Sequence, residues 1–143
     1  MTGGAPLATV VVVVDPDVLA VRSLNTAFYE AFEAGDVGAM AELWERSDRV
    51  ACTHPGWQCL RGWELVLRSW AGILGGDQAL QFILTDERVD VIGDAAVVLV
   101  DENIVGDGVG GTVAAVNLFA RQGDGGWRMI GHHGAPVARP VDV

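Results

Sequence analysis

The sequence predicts an α+β domain, three helices followed by an antiparallel sheet, folded around an internal pocket. Apolar residues recur at three- and four-residue steps through much of the first half, the period of a helix buried on one face. From Ala79 the period changes to two, as in strands with one face covered. Helices grouped before a meander of strands indicate α+β rather than an alternating order. Half of the 143 residues are apolar. A single domain of that length buries roughly 68–70% of its unfolded surface, so a core needs no staples.

The elements follow in order. Residues 1–15 are a lead-in: Met1 to Thr9 is small, glycine-bearing and mobile, and Val10 to Val14 is β-branched. That valine run reads as a strand of the same domain, with an added edge strand or a contact to a second subunit as alternatives. Asp15-Pro16-Asp17 starts a helix, with an acid at the N-cap and proline at the first position. Val21, Leu24, Phe28 and Phe32 form its stripe; Gly35 ends it and Asp36 caps a short second helix with Val37, Met40, Leu43 and Trp44. Arg49 to His54 alternates like a strand, with Val50, Cys52 and His54 on one side, until Pro55-Gly56 breaks it. Gly62 opens a third helix with a face of Trp63, Val66, Leu67, Trp70 and Leu74, closed by Gly75-Gly76. Leu80 to Ile92 and Ala95 to Val105 are strands joined by a Gly93-Asp94 hairpin turn. Glycine-rich Gly106 to Gly111 reads as a loop before a strand from Thr112 to Arg121, and Gly123 to Gly126 turns into a last strand, Trp127 to His133. Residues 139–143 are a tail.

Charge narrows the partners. Nine arginines, no lysine and nineteen acids leave a formal charge of −10. Such a field repels phosphate backbones and anionic membranes, so nucleic acid and lipid are not expected partners. Cys52 and Cys59 are too few for a disulfide framework and read as reduced thiols. The valine run is too short for a signal peptide, lacks a basic flank and meets Asp15 at once. A cytoplasmic location is the expectation.

Polar residues that interrupt apolar patterns mark the candidate site, since burying one unpaired costs about 1–3 kcal/mol. These are His54 before a proline, Asp101-Glu102-Asn103 after Val97 to Val100, Asn117 within Val113 to Phe119, and His132-His133 closing the last strand. Alternation sends Glu102 to the face opposite Asp101 and Asn103, and separates His132 from His133 without saying which faces inward. A histidine meeting a carboxylate in an apolar cavity suits proton transfer. The same residues can instead tie down neighbouring backbone and indole groups. Cys52, His54, Cys59, His132 and His133 are competent metal ligands, but none has the spacing of a structural zinc site, and no metal is expected. The 106–111 glycines precede a strand and lack a lysine-serine pair, so they make no phosphate cradle. Five tryptophans, Trp57, Trp63 and Trp70 among them, supply core bulk or the wall of a flat apolar ligand's site.

Phe28-Tyr29-Glu30-Ala31-Phe32-Glu33-Ala34-Gly35-Asp36, Thr53-His54-Pro55-Gly56-Trp57, Arg61-Gly62-Trp63, Ser69-Trp70, Asn117-Leu118-Phe119 and Trp127-Arg128-Met129-Ile130-Gly131-His132-His133 together resemble a SnoaL-like domain of the nuclear-transport-factor-2-like superfamily, which includes ketosteroid isomerases. The likeness covers Val18 to Pro136, within a domain taken as 16–138. It implies a cone-shaped pocket between a strongly curved sheet and the helices, and a homodimer formed through the sheet. Members of the superfamily include isomerases, polyketide cyclases, dehydratases, epoxide hydrolases and binding or assembly domains. His54 falls where ketosteroid isomerases place their aspartate base, and Phe28 where they place an oxyanion-holding tyrosine. Tyr29 is one position off, about 100° around the helix, and is not expected to substitute directly. Steroid isomerisation is therefore not expected. An imidazole base at His54, with a reference pKa of about 6.5, is chemically sensible.

The resulting expectation is a dimeric, cofactor-free pocket protein for a small apolar molecule. If it catalyses, the reaction is acid/base isomerisation, cyclisation or dehydration. His54 would be the base, with Glu102 and His133 as catalytic partners. Phe28, Tyr29, Trp57, Trp63, Trp70, Asn117 and His132 would line the pocket. The rivals are a non-catalytic ligand binder and an assembly domain whose interior is filled by its own tryptophans. An epoxide hydrolase would need an acid–arginine–acid cluster, and nothing in the sequence brings Arg61 or Arg88 to one.

Overall fold

A computed structural model describes residues 3–11, 13–76, 79–106, 109–139, 141 and 142. The first helix, α1 (Pro16–Ala34), begins where the Asp15 carboxylate accepts the Asp17 N–H at 2.8 Å. It ends at Gly35 in the left-handed conformation, φ 63°, whose N–H returns to Ala31 and Phe32 carbonyls. Asp36 then caps α2 (Val37–Leu43), accepting from Ala39 N at 3.0 Å. Two short strands follow, β1 (Ala51–Thr53) and β2 (Leu60–Arg61), and then α3 (Trp63–Leu74). Four long strands complete the chain: β3 (Gln81–Ile92), β4 (Ala95–Gly106), β5 (Val109–Arg121) and β6 (Trp127–Pro136). No helix among the described residues is long and apolar enough to cross a membrane.

The strands form one six-stranded sheet in the order β2-β1-β6-β5-β4-β3. The expected antiparallel meander is β3 to β6; β1 adds to β6 in parallel, so the sheet as a whole is mixed. Register shifts between Thr85 and Arg88 and between Leu118 and Phe119 interrupt the ladders, and such bulges bend strands and sharpen twist. The helices cover one face. There Phe28, Trp70, Met40 and Trp44 meet Val98, Phe119 and Met129, all fully buried. The other face carries Leu99, Asp101, Ala114, Val116 and His133, only partly covered or open.

Two sequence expectations are corrected here. Gly106, Gly110 and Gly111 belong to strands rather than a loop, since β4 runs to Gly106 and β5 starts at Val109, with Val105 opposite Gly110 and Ile104 opposite Gly111; Asp107 and Gly108 lie outside the described residues. Gly106 is a place of close backbone approach, since a Cβ there would lie 2.6 Å from the Ala79 carbonyl oxygen. Val10, Val11, Val13 and Val14 form no strand and are exposed; Val12 lies outside the described residues. β-Branching favours a strand only where a neighbouring edge accepts it.

Gly35 ties two helix ends together, because a Cβ there would sit 3.2 Å from the Leu74 carbonyl oxygen. A non-glycine residue in this conformation also costs roughly 1–2 kcal/mol. Gly35→Ala should therefore lower the urea midpoint by a matching amount, with an unchanged slope, in equilibrium unfolding.

Candidate functional site

Five polar side chains predicted for the site come from separate elements and converge on the helix-covered face. Glu102 is in β4, Asn117 in β5, His132 in β6, Tyr29 in α1, and His54 just follows β1. Register brings them together: Asn117 stands opposite His132, and His132 opposite Cys52. All five are at most 3% exposed.

Burial forces these groups to bond to one another. The Tyr29 hydroxyl donates to Glu102 Oε2 at 2.5 Å and accepts from Asn117 Nδ2 at 3.1 Å. Asn117 Nδ2 also donates to Asn25 Oδ1 at 2.8 Å, and Asn117 Oδ1 meets His132 Nδ1 at 2.5 Å. Asn25 continues outward, donating to Glu87 Oε2 at 3.3 Å, and Glu87 pairs with Arg22 at 2.9 Å. His54 Nε2 lies 2.9 Å from Ser69 Oγ, which donates to the Val66 carbonyl at 2.7 Å.

A tight turn aims His54. Trp57 N–H donates to the His54 carbonyl at 2.8 Å, Pro55 is the second residue, and Gly56 is the third with φ 82°. Those are the requirements of a type II turn. It stands the Trp57 ring edge-on to the imidazole, centroids 4.9 Å apart, while Trp70 flanks it at 4.7 Å. Trp57 is 49% exposed and Trp70 fully buried, so Trp57 lies between His54 and solvent.

The remaining space is filled by rings. Phe28 meets Tyr29 and His132 at 4.9 Å and Trp70 at 5.4 Å, and His54 and His132 stand 6.4 Å apart. One hollow, of about 590 Å³, lies on the opposite face of the sheet, against Leu99, Val116 and His133. The polar side chains of the site come together on the helix-covered face, in contact with one another and with the rings of Phe28 and Trp70. The indole N–H groups of Trp44 and Trp70 are buried without a partner.

Burial sets the protonation. Desolvation raises Glu102 from 4.5 to about 7, against a lowering bond from Tyr29. It lowers His54 from 6.5 to about 4 and His132 from 6.5 to about 3. Tyr29 is pushed up by burial and by the Glu102 charge beside it, and stays a phenol; burial pushes the Cys52 thiol to about 12.

Two expected site residues lie elsewhere. His133 alternates with His132 onto the other face, where Thr53 Oγ1 is 2.8 Å from its Nδ1 and it lines a hollow of about 590 Å³. Trp63 sits at the start of α3 with the Arg46 guanidinium 5.9 Å above its ring, beside a surface hollow remote from His54. Tyr29 reaches the interior because α1 buries a broad face, with Asn25, Phe28 and Tyr29 all covered. Asn25 was not singled out in the sequence, and Ser69 entered only through the Ser69-Trp70 pair of the resemblance, with no role at the site. Asn25 interrupts the apolar stripe of α1 just as Asn117 interrupts β5, so the same signal marks it. Among the described residues no group of three histidine, cysteine or acidic side chains is close enough to hold a metal.

A family model for the SnoaL-like domain matches residues 21–139. The chain belongs to that family. Among solved structures, this SnoaL-like domain is similar to a proposed dehydratase of the NTF2-like family from Streptomyces avermitilis. The two are 44% identical, with 86% of this chain and 97% of that one covered and a TM-score of 0.79. It is also similar to a proposed calcium/calmodulin-dependent protein kinase type II association domain from Thiobacillus denitrificans, at 33% identity, 81% and 94% coverage and a TM-score of 0.70. F-box protein SKIP8 of Arabidopsis thaliana is 31% identical over 114 residues, which are 80% of this chain. The chain spans about half of that relative's length, 48%.

The shifts at the site make stability depend on pH, with opposing signs. Glu102 keeps a proton that the unfolded chain loses between pH 4.5 and about 7, so its contribution falls as pH rises through that window. His54 and His132 refuse protons that the unfolded chain takes below pH 6.5, so theirs falls as pH drops. His133, also lowered by burial, adds in the histidine direction. Between pH 4.5 and 6.5 the histidines outnumber the acid, and stability should decline on acidification. Glu102→Gln removes the opposing group and should steepen that decline by one proton, about 1.4 kcal/mol per pH unit, in denaturation series against pH.

Proposed function

We propose that this SnoaL-like domain binds a small, largely apolar, uncharged molecule at the His54–Glu102 site and carries out acid/base chemistry on it, of the dehydratase or isomerase type. The observation that carries the reading is the Glu102 carboxyl, buried and poised at about 7, linked through Tyr29 and Asn117 to the neutral His132, with the neutral His54 ring 6.4 Å from His132. Elimination of water needs a base to take a proton from carbon and an acid to protonate the departing hydroxyl. His54 serves as the base. Glu102 serves as the acid: Tyr29 already donates to Oε2, which leaves Oε1 to carry the proton. The 44%-identical structure described as a proposed dehydratase supports the same reaction class.

Ligand entry requires the aromatic contacts to open, and half-exposed Trp57 is the residue placed to move. A thermal-shift screen of hydroxylated polyketide-, steroid- and terpenoid-like compounds finds the ligand, because selective binding to the native state raises apparent stability. With a hit in hand, His54→Ala should cut turnover by about 10²–10⁴-fold while the circular dichroism spectrum stays native. Full activity in that variant removes His54 from the mechanism.

The second reading, a non-catalytic assembly domain, is favoured by the ring contacts that Phe28 and Trp70 make with His54 and His132 and by the relatives described as an association domain and an F-box protein. It predicts no product from any bound compound.

The homodimer belongs to both readings. The open sheet face offers Leu99, Ala114 and Val116 around the hollow of about 590 Å³, a surface suited to a second copy. Sedimentation equilibrium should give twice the 15.1 kDa chain mass, and Val116→Asp should return it to the single value.

A further inference from the structure

The hydrogens of the buried polar chain have forced positions, and the forcing starts at the surface. The Glu87 carboxylate, paired with Arg22 at 2.9 Å, can only accept, so the Asn25 atom 3.3 Å from it is the amide nitrogen. The other end of Asn25 is therefore its oxygen, and the Asn117 atom 2.8 Å away must be Nδ2. That nitrogen gives its second hydrogen to the Tyr29 oxygen at 3.1 Å, and the Tyr29 hydrogen goes on to Glu102. Only Asn117 Oδ1 remains for His132. The bonded Nδ1 must carry hydrogen, and the lone pair of a neutral ring falls on Nε2.

His54 is fixed by the same logic from the other side. The Val66 carbonyl only accepts, so it takes the single Ser69 hydroxyl hydrogen at 2.7 Å. Ser69 Oγ is left to accept from His54 at 2.9 Å, so His54 carries its hydrogen on Nε2 and its lone pair on Nδ1. Cys52 Sγ lies 3.7 and 3.9 Å from the two ring nitrogens, beside the ring rather than on one of them.

We propose that Glu87, Asn25 and Asn117 form a directional relay that sets the tautomer of His132 from the protein surface, and that Ser69 sets the opposite tautomer in His54. Glu87, Asn25 and Ser69 are positioning residues: they act through the imidazoles. The two basic nitrogens of the interior are then His132 Nε2 and His54 Nδ1, and the Trp70 ring packs against both imidazoles, at 4.7 Å from His54 and 5.7 Å from His132. Two uncharged acceptors, with the Glu102 carboxyl as donor, fit a molecule with hydroxyl groups and a carbonyl or ether oxygen, and present no cation to a carboxylate. This deepens the acid/base reading and rests on it for its catalytic meaning, but the tautomers are measurable without turnover.

The test is a long-range 1H–15N correlation spectrum of the ligand-free protein at pH 7.5, labelled on its three histidines. His133→Asn assigns the outer ring by disappearance. His54 should appear protonated on Nε2 alone and His132 on Nδ1 alone. Glu87→Gln presents N–H and C=O to Asn25 alike, so His132 should lose its single-tautomer pattern while His54 keeps its own. Ser69→Ala should do the reverse, and Ser69→Thr, which keeps the hydroxyl, should restore it. His54→Ala, by the signals it removes, tells His54 from His132, and the opposite protonation of either ring in the wild type overturns the proposal. So does an unchanged His132 pattern in Glu87→Gln. If His54→Ala stays fully active while both tautomers are as stated, the chemistry falls and the relay stands. Reversed tautomers in a protein that still needs His54 for turnover remove the relay alone.

Discussion

The cost of placing polar groups in an apolar interior governs this molecule. A carboxyl, two imidazoles, two amides and a phenol are each at most 3% exposed. Left unbonded, each would cost about 1–3 kcal/mol, a large share of the stability of a small domain. They are therefore bonded, five of them to one another and His54 to Ser69, and each bond restricts the next. Orientation, protonation and tautomer follow from that mutual restriction. Among the described residues the indole N–H groups of Trp44 and Trp70 escape it, and the Trp70 ring packs against both inward histidines.

The cluster depends on strand register more than on any single contact. Asn117 and His132 face each other only because β5 and β6 pair with a shift between Leu118 and Phe119. A slip of one residue would turn His132 outward and His133 inward, since side chains alternate. The parallel addition of β1 to β6 is equally necessary, because it brings Cys52 opposite His132 and carries His54 to the same face. His54 then owes its aim to a local device, the Pro55-Gly56 turn. Long-range pairing delivers the residues, and short-range chemistry points them.

Much of this was legible in the chain. The helix starts and stops were written in Asp15-Pro16 and Gly35-Asp36, whose roles are local and need no partner. Polar breaks in apolar strands identified Glu102 and Asn117 correctly as inward, because period two has only two answers. The choice between His132 and His133 was not legible, since it turns on a bulge that alternation cannot show. Trp63 was misplaced because a helical period defines a face but not its occupant, and here Arg46 takes that ring. The valine run misled for a related reason: propensity describes a strand's fitness, not the presence of an edge to receive it. Asn25 was readable by the rule that found Asn117, whereas Ser69 was not, because its value lies wholly in a histidine fifteen residues away in sequence.

Charge is segregated as strictly as apolar surface is. The formal charge of −10 counts Glu102, the buried exception among the described acids, and Arg22, Arg49, Arg88 and Arg121 are held at the surface in ion pairs. Inside, burial keeps both imidazoles neutral, the phenol protonated and the thiol protonated at neutral pH, so Glu102 alone among these groups changes charge near pH 7. An anion approaching the site would meet a repelling field outside and no cation within. A cation would be drawn to the surface and then lose its hydration to a single carboxyl. An uncharged molecule loses least on transfer, and the neutral donors and acceptors already present can replace its hydrogen bonds. The pressure that keeps charge out of the core thus selects the ligand, and the one group that resists it selects the chemistry: a lone proton, held where no other charge competes for it, is what an acid catalyst requires.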